Sequence, residues 1–183
     1  VLSNGKSKYD QVTRKILGAK GKYIEEFEKA DIIVRTIRLK GNGMPQEAIS
    51  FPAFKIKELV EERWNESTLI SDLERKFLFV VYQMPKGTKK IEDEYLVLLK
   101  VFFWNMPIYD IEEIVRPAWE QVISGFIQGN DSPLKASEGK IIHVRPHAKN
   151  SKDLDVLPNG AFTTKKSFWL NQKYLKQVIE NNN

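Results

Sequence analysis

Apolar residues repeat at helical spacing in several segments of the chain. A first helix is predicted over about Lys8 to Leu17, with Gly18 and Gly21 behind it as stop signals, and a closing helix from Asn171 to Glu180. Shorter helical patterns cover Lys55 to Glu62 and Thr68 to Glu74. The chain therefore contains helices at both ends and in its first half.

A longer helical pattern begins at Asp110, which is a candidate N-cap, and ends at Gly129. Its apolar positions are Ile111, Ile114, Val115, Trp119, Val122, Ile123, Phe126 and Ile127. Because a proline inside a helix removes a backbone donor, we expect Pro117 to kink this helix.

Strand-like runs alternate with these helices. The β-branched run from Asp31 to Leu39 leads through the turn residues Gly41 to Pro45 into Glu47 to Phe51, which predicts a hairpin. Two runs, Lys76 to Gln83 and Tyr95 to Trp104, are apolar enough to predict central strands. A last strand is predicted from Lys140 to Val144. The fold class is thus α/β (α+β), and a single domain over residues 1–183 is the simplest organisation.

Composition narrows the class of protein. The 42% hydrophobic content indicates a folded globule, and no apolar run is long enough to span a membrane. The chain has no cysteine, which fits a cytoplasmic protein, and its two histidines, His143 and His147, make no credible zinc site, so no metal is expected. Because the chain begins at Val1 without a leader pattern, we expect it to be part of a longer polypeptide.

Positive charge is concentrated in the last quarter of the chain. Residues 140–176 contain eight Lys or Arg and two Asp, a net charge of +6, while the whole chain carries +5. Aromatic and turn-forming residues are interleaved with these cations. Cations suit phosphates, and narrow loops with apolar edges suit a groove, so this segment favours a duplex DNA-binding surface. A basic face that meets only solvent is the alternative that charge alone leaves open.

Six local strings, in this order, resemble the MutH family, which comprises the GATC-directed nicking nuclease of mismatch repair and related restriction endonucleases that cut at GATC. They are Val34-Arg35-Thr36-Ile37-Arg38, Asn42-Gly43-Met44-Pro45-Gln46-Glu47, Trp119-Glu120, Val144-Arg145-Pro146-His147-Ala148, Leu157-Pro158-Asn159-Gly160-Ala161-Phe162 and Lys165-Lys166-Ser167-Phe168. The resemblance spans about Lys8 to Ile179. It implies a restriction-endonuclease-like MutH fold, a mixed central sheet flanked by helices, with DNA in a cleft between two lobes.

The resemblance also locates the catalytic motif. Family members carry a metal-binding acid followed by Glu-x-Lys, in which two carboxylates hold Mg²⁺ and the Lys assists the attacking water. The matching positions in this chain are Ile33, in place of the Glu, and Arg35, in place of the Lys. An isoleucine cannot ligate a cation and an arginine cannot lose a proton at neutral pH. We therefore expect a degenerate site that does not cut.

Acidic residues just before this motif offer a possible replacement. Asp31 is a candidate remnant of the family acid, but it supplies one carboxylate where two are required. The other acids, Glu25, Glu26 and Glu28, fit an exposed acidic helix end. Asp31, Ile33 and Arg35 are accordingly predicted to be what is left of a catalytic site.

The DNA-reading loops are closer to the family pattern. In relatives the loop after the last core strand reads Arg-Pro-Lys-Ala and reaches the major groove, so the resemblance makes Arg145, His147 and Lys149 candidates for base or phosphate contacts. His147 stands in place of the usual Lys and offers fewer donors to guanine.

A second group of candidates follows the Leu-Pro-x-Gly string. Phe162 matches a family Tyr and is a candidate for contact with a base, with a core position as the alternative. Lys165 and Lys166 are adjacent, so on a strand they face opposite ways, and one of them is expected to contact phosphate.

These features predict a catalytically inactive effector domain that binds GATC duplexes, similar to the C-terminal part of a Sau-type GATC-cutting type II restriction endonuclease. The predicted partners are double-stranded DNA containing GATC and an N-terminal catalytic domain of the same chain, with no membrane and no cofactor for this domain and Mg²⁺ for the parent enzyme. Two alternatives stay open. One is an active Mg²⁺-dependent endonuclease that cuts at GATC, and the other is a protein-interaction domain that does not bind DNA.

Overall fold

The computed structural model describes residues 6–19, 24–88, 90, 92 and 95–182, and it has a mixed α/β architecture. The helices are α1 (Lys6–Ile16), α2 (Glu25–Lys29), α3 (Ile56–Leu59), α4 (Thr68–Leu73), α5 (Arg116–Ile127) and α6 (Gln172–Asn181). The strands are β1 (Ile32–Leu39), β2 (Ile49–Phe54), β3 (Lys76–Gln83), β4 (Val97–Trp104), β5 (Ile142–Pro146), β6 (Leu154–Val156), β7 (Phe162–Thr164) and β8 (Lys166–Leu170). A 3₁₀ turn covers Trp64–Glu66, and a π-helical turn covers Asp110–Val115.

The chain divides into two compact units, each of which has its own sheet. The first comprises residues 1–47, 75–105 and 176–183, and the second comprises residues 48–74 and 106–175. The sequence-based prediction of one MutH-like domain over residues 1–183 stays a prediction. Each unit is described by itself.

The first unit is built on a mixed sheet of strand order β1-β3-β4. β1 runs parallel to β3, and β4 runs antiparallel to it, so β3 is the middle strand and its residues Phe77 to Tyr82 are buried. One face of β3 packs against α1, where the Tyr9 and Tyr82 rings lie 4.7 Å apart. On the opposite face, the Phe79 ring lies 5.4 Å from that of Trp104. Burial of both faces explains why β3 is a continuous apolar run.

β4 is an edge strand of this sheet, and the prediction that it is central was wrong. Leu99, Val101 and Phe103 are exposed on one face, while Trp104 is buried on the other. Hydrophobicity alone does not distinguish an edge strand from a middle one, because the distinction depends on which strands pair beside it.

The predicted hairpin over Asp31 to Phe51 is also wrong. β1 pairs with β3, whereas β2 pairs antiparallel with β8, in a different sheet. Near the turn, the two segments are linked by an isolated bridge between Leu39 and Pro45 and by a 3.0 Å ion pair between Arg38 and Glu47. The turn residues reverse the chain as expected, but each segment forms its strand hydrogen bonds with a strand that is distant in the sequence.

The second unit contains a sheet of strand order β2-β8-β5, in which β8 pairs antiparallel with both neighbours, and a separate β6–β7 pair. α5 covers one face of the three-stranded sheet through Phe126, whose ring lies 6.0 Å from that of Phe54. Phe54 in turn lies 5.0 Å from the ring of Phe168 in β8. These rings form the apolar layer that supports the sheet.

The helical segment after β4 differs in detail from the prediction. Asp110 does not cap the helix, because its carboxylate accepts a 2.6 Å hydrogen bond from Tyr174 Oη. The segment begins with the π-helical turn, and Pro117 lies in the first turn of α5 rather than inside a continuous α-helix. Pro117 lacks the N–H of a regular helical bond and lies just after the π-helical turn passes into α5, at a break in the regular α-helical hydrogen-bond ladder. The predicted kink at Pro117 stays a prediction.

Candidate nucleic-acid interface

The β5–β8 pair has one apolar face and one polar face. Ile142, Val144, Phe168 and Leu170 are buried on the apolar face. The register pairs His143 with Trp169 and Arg145 with Ser167, which puts these four residues on the opposite face. The alternation of polar and apolar residues in β5 therefore directs Arg145 away from the core, where it is exposed.

Arg145 stacks on an aromatic ring of the neighbouring strand. Its Cζ lies 4.6 Å from the ring centroid of Trp169, within the range of a cation–π contact. Neither Trp169 nor Ser167, the register partner of Arg145, was identified as a site residue from the sequence. The signal that could have found them is the period-2 alternation Lys165, Ser167, Trp169 on the strand that pairs with the Arg-Pro loop.

His147 is attached to the same strand. Its Nδ1 and Ser167 Oγ form a 2.8 Å hydrogen bond, and its ring lies 5.4 Å from that of Trp169. Its backbone N–H donates to the carbonyl of Lys165 at 2.8 Å. The loop that carries His147 is thus joined to β8 by main-chain and side-chain contacts.

Asp153 binds two of the lysines that were predicted to contact DNA, Lys149 and Lys165. Its carboxylate accepts a 2.8 Å bond from Lys165 Nζ and a 3.0 Å bond from the backbone N–H of Lys149. The Lys165 ammonium, followed by the Lys149 N–H, holds the pKa of Asp153 below its usual value. The Lys149 side chain is exposed. Lys149 is therefore available to an anion, while Lys165 already has a carboxylate partner.

Lys166 lies on the apolar face of β8 and is only 2% exposed. Its Nζ donates to Thr164 Oγ1 at 3.3 Å, and burial lowers the pKa of Lys166, an effect that Asp131 partly opposes. Lys165, in the connection before β8, is partly exposed and ion-paired with Asp153, so the two adjacent lysines have different environments. The expected phosphate contact stays a prediction.

Phe162 lies at the start of β7 and is 74% exposed, so the alternative of a core phenylalanine is wrong. The turn before it is closed by a 2.9 Å bond from Leu157 N to the Ala161 carbonyl and by a 3.0 Å bond from Ala161 N to Asn159 Oδ1. Gly160 has φ +88°, a conformation that favours glycine. The hairpin therefore presents an aromatic ring to solvent.

His143 belongs to the polar face of β5 but is only 2% exposed. Burial lowers the pKa of His143, and the charge of Arg145 lowers it further. The imidazole is thus stabilised in its neutral form beside the exposed guanidinium.

The positions of the catalytic motif have a different environment. Ile33 is 8% exposed and pairs with Phe77, and the partly buried Arg35 pairs with Phe79. Asp31, at φ 52°, is exposed and forms an ion pair with Arg75, in which Oδ1 and Nε are 2.6 Å apart. The acids Glu25, Glu26 and Glu28 are exposed in α2, which confirms the prediction of an acidic helix end.

These residues do not fit a magnesium ion. Within the described part of the chain, no group of three or more Asp, Glu, His or Cys is arranged to hold a metal. A hard cation requires several oxygen ligands, and the strand positions of the family motif offer an alkyl group and a cation. No reaction step through Mg²⁺ follows from this site.

Comparison with known proteins agrees with this architecture. No protein-family model matches the chain. It is 28% identical to the type II restriction enzyme Sau3AI of Staphylococcus aureus, an alignment that covers 93% of the chain and 44% of that enzyme. It is 24% identical to the DNA mismatch repair protein MutH of Vibrio parahaemolyticus, with 85% of the chain and 68% of that protein covered. For MutH of Actinobacillus pleuropneumoniae the identity is 23%, with 98% and 80% covered.

The chain is thus related to MutH-like nucleases, and its mixed α/β architecture is the restriction-endonuclease-like fold that this relationship implies. Its particular relatives are a restriction enzyme and mismatch repair proteins. The chain spans less than half the length of the restriction enzyme. No described helix is long and apolar enough to cross a membrane.

Proposed function

We propose that this chain binds double-stranded DNA containing GATC and acts as a non-catalytic effector region of a type II restriction endonuclease. The relationship to Sau3AI and MutH supports DNA as the partner. The family resemblance of the Arg-Pro and Leu-Pro-x-Gly strings supports the GATC sequence. The residues at the β1 motif positions support catalytic inactivity. The exposed residues on the polar face of β5–β8 support a DNA-binding effector role.

The observation that carries the proposal is the exposed Arg145 on the polar face of β5–β8. Its guanidinium has the planar donor arrangement that suits guanine O6 and N7. The exposed Lys149 adds a cation close to it in the chain, and Phe162 offers a ring on the neighbouring β6–β7 hairpin. Phosphate contacts, a base contact and an apolar ring are the three elements that a duplex reader combines.

The lack of catalysis in the proposal rests on Ile33. Its side chain is part of an apolar layer with Phe77 and cannot ligate a metal. Arg35 keeps its proton at neutral pH and cannot act as a base. We propose that cleavage and its Mg²⁺ belong to a catalytic domain N-terminal to this region in the parent enzyme.

The proposed effector role requires thermodynamic linkage between duplex binding to this region and the active state of the catalytic domain. A second GATC duplex can favour the active state of the catalytic domain only through the difference in its affinity for the two states of the protein. The share of Sau3AI that the chain spans, 44%, supports a role as one region of a larger enzyme. In the parent protein, a short uncleavable GATC duplex is therefore expected to stimulate cleavage.

One gel experiment tests the proposal against its alternatives. The isolated chain is mixed with a GATC duplex and a scrambled duplex of equal length, with and without Mg²⁺, over a series of salt concentrations. We expect preferential binding of the GATC duplex, no cleavage, and a slope of log affinity against log salt of about −4 to −5 for four to six phosphate contacts. Cleavage with Mg²⁺ would support an active nuclease, and no binding at low salt would support a protein-interaction domain.

A further inference from the structure

We infer that Trp169 is a specificity-determining positioning residue, which holds the Arg145 guanidinium in a fixed orientation for base recognition while Ser167 holds His147 beside it. This inference rests on the proposed DNA-binding function. The residues that carry it are in β8, outside the loop whose sequence suggested base contacts.

Trp169 is fixed by its position in the sheet. β8 is the middle strand, and Trp169 pairs with Ser50 of β2 on one side and with His143 of β5 on the other. A strand that is hydrogen-bonded on both sides has little freedom to move. The indole is therefore a stable platform, unlike a residue on an exposed loop.

The face of the indole, rather than its N–H, is what Trp169 offers to Arg145. Its Nε1 is buried and has no hydrogen-bond partner among the described residues, whereas its ring centroid lies 4.6 Å from Arg145 Cζ. A buried N–H without a partner is unfavourable, so the polar atom does not explain the presence of tryptophan at this position. Contact with the guanidinium through the ring face does explain it.

The contact with Trp169 reduces the entropy that the Arg145 side chain loses when it binds a base. A free arginine side chain loses considerable rotamer entropy when it is ordered on a base, and a side chain that is already stacked loses less. Contact through the ring face uses none of the guanidinium N–H donors, which stay available for bidentate contact with guanine. Sequence discrimination therefore depends on Trp169 although Trp169 itself need not touch DNA.

β8 also supports His147, the second candidate for a base contact. The 2.8 Å hydrogen bond between Ser167 Oγ and His147 Nδ1 fixes the imidazole, and the 5.4 Å ring contact with Trp169 restrains its tilt. Arg145 and His147 thus share one support. Lys149, in contrast, has an exposed side chain, and only its backbone N–H is bound by Asp153.

The test compares four variants by their affinities for the GATC and scrambled duplexes. Trp169→Leu removes the ring and should reduce the GATC preference about 10-fold. Trp169→Phe keeps a ring face and should retain most of the preference. Arg145→Ala should reduce the preference at least as much as Trp169→Leu. The double variant Arg145→Ala with Trp169→Leu should lose no more than Arg145→Ala alone, because Trp169 acts through Arg145.

A measurement on the free protein tests the contact between Arg145 and Trp169 independently of DNA affinity. The side-chain proton resonances of Arg145 should be shifted upfield by the Trp169 ring, and this shift should disappear in Trp169→Leu and persist in Trp169→Phe. Circular dichroism establishes that each variant is folded before its affinity is compared. Lys149→Ala is the matched control, which should lower both affinities alike and keep their ratio.

The outcomes separate the two proposals. If the wild-type chain prefers GATC and Trp169→Leu keeps that preference, or if the losses of Arg145→Ala and Trp169→Leu add, the inference is overturned and the proposed function stands. Absence of the ring-current shift on Arg145 in the wild-type protein also overturns it. A wild-type chain that shows no GATC preference overturns both.

Discussion

Two strand faces of this protein, both at positions that resemble motifs of the MutH family, offer a ligand opposite surroundings. On β1, Ile33 is buried beside Phe77 and Arg35 is partly buried. On β5, Arg145 remains a cation, exposed and stacked on Trp169. A magnesium site needs several oxygen ligands in one place, whereas a duplex-binding surface tolerates single changes because its contacts are distributed.

The largest expected difference between the two faces concerns stability. Ile33→Glu would place a carboxylate in an apolar environment without a partner and should lower the free energy of unfolding by roughly 2–4 kcal/mol. Arg145→Glu introduces the same charge at an exposed position and should change it by less than about 1 kcal/mol. Urea unfolding of the two variants measures both values. Equal losses would show that the β1 face is not the more apolar environment.

The next prediction concerns DNA recognition on the β5 face. Arg145→Ala should weaken GATC binding by about 1–3 kcal/mol and narrow its margin over other sequences, because a base contact is lost. Lys149→Ala should weaken both duplexes alike and reduce the salt slope by about one, as expected for a phosphate contact. Titrations of both variants at several salt concentrations measure these effects. An equal loss of affinity for both duplexes in Arg145→Ala would assign Arg145 to phosphate.

The variant Lys166→Met tests whether Lys166, on the apolar face of β8, contributes to DNA binding. Because its ammonium is buried with only a hydroxyl within hydrogen-bond distance among the described residues, Lys166→Met should raise the free energy of unfolding by about 1 kcal/mol. Its DNA affinity should stay close to that of the wild type. Chemical unfolding and duplex titration check the two halves of this prediction. A uniform loss of affinity would instead support the phosphate contact predicted from the sequence.

The smallest expected effect is a pH dependence. Burial lowers the pKa of His143 below its usual value of 6.5, so the folded state favours the neutral imidazole. The resulting stability is present above about pH 6.5 and is lost as the pH falls through the lowered pKa, because the unfolded chain binds the proton first. Melting temperatures between pH 8 and pH 5 should therefore decline less in His143→Gln than in the wild type. His147→Gln, at an exposed position, is the control and should behave as the wild type does.

Several parts of the fold could be predicted from local pattern. The sequence-based bounds of β3 agree with the observed Lys76–Gln83, and those of the closing helix agree within one residue with Gln172–Asn181. The last predicted strand, Lys140 to Val144, overlaps β5, Ile142–Pro146, although Arg145 lies in the strand rather than in the loop after it. These features depend on the spacing of apolar side chains, which is set by the geometry of one strand or one helix.

Features that depend on distant partners could not be predicted in this way. β1 pairs with β3 rather than with the nearer β2, and β4 occupies an edge although its sequence is as apolar as that of a middle strand. Strand pairing is decided by which long-range arrangement buries the most apolar surface, and turn residues near β1 carry no information about it.

The candidate site shows the same division. Residue types alone determined that the chain has a basic segment with an Arg-Pro string, and they predicted an incomplete metal motif, because charge, ring geometry and ligand chemistry belong to the side chains themselves. Only the tertiary structure decided that Arg145 lies on Trp169 and that Lys166 is buried. Arg145 and Trp169 are 24 positions apart in the chain and are brought together by the β5–β8 register. Lys166 is buried because it lies on the face of β8 that α5 covers. Both depend on how strands pair and pack, which no local pattern encodes.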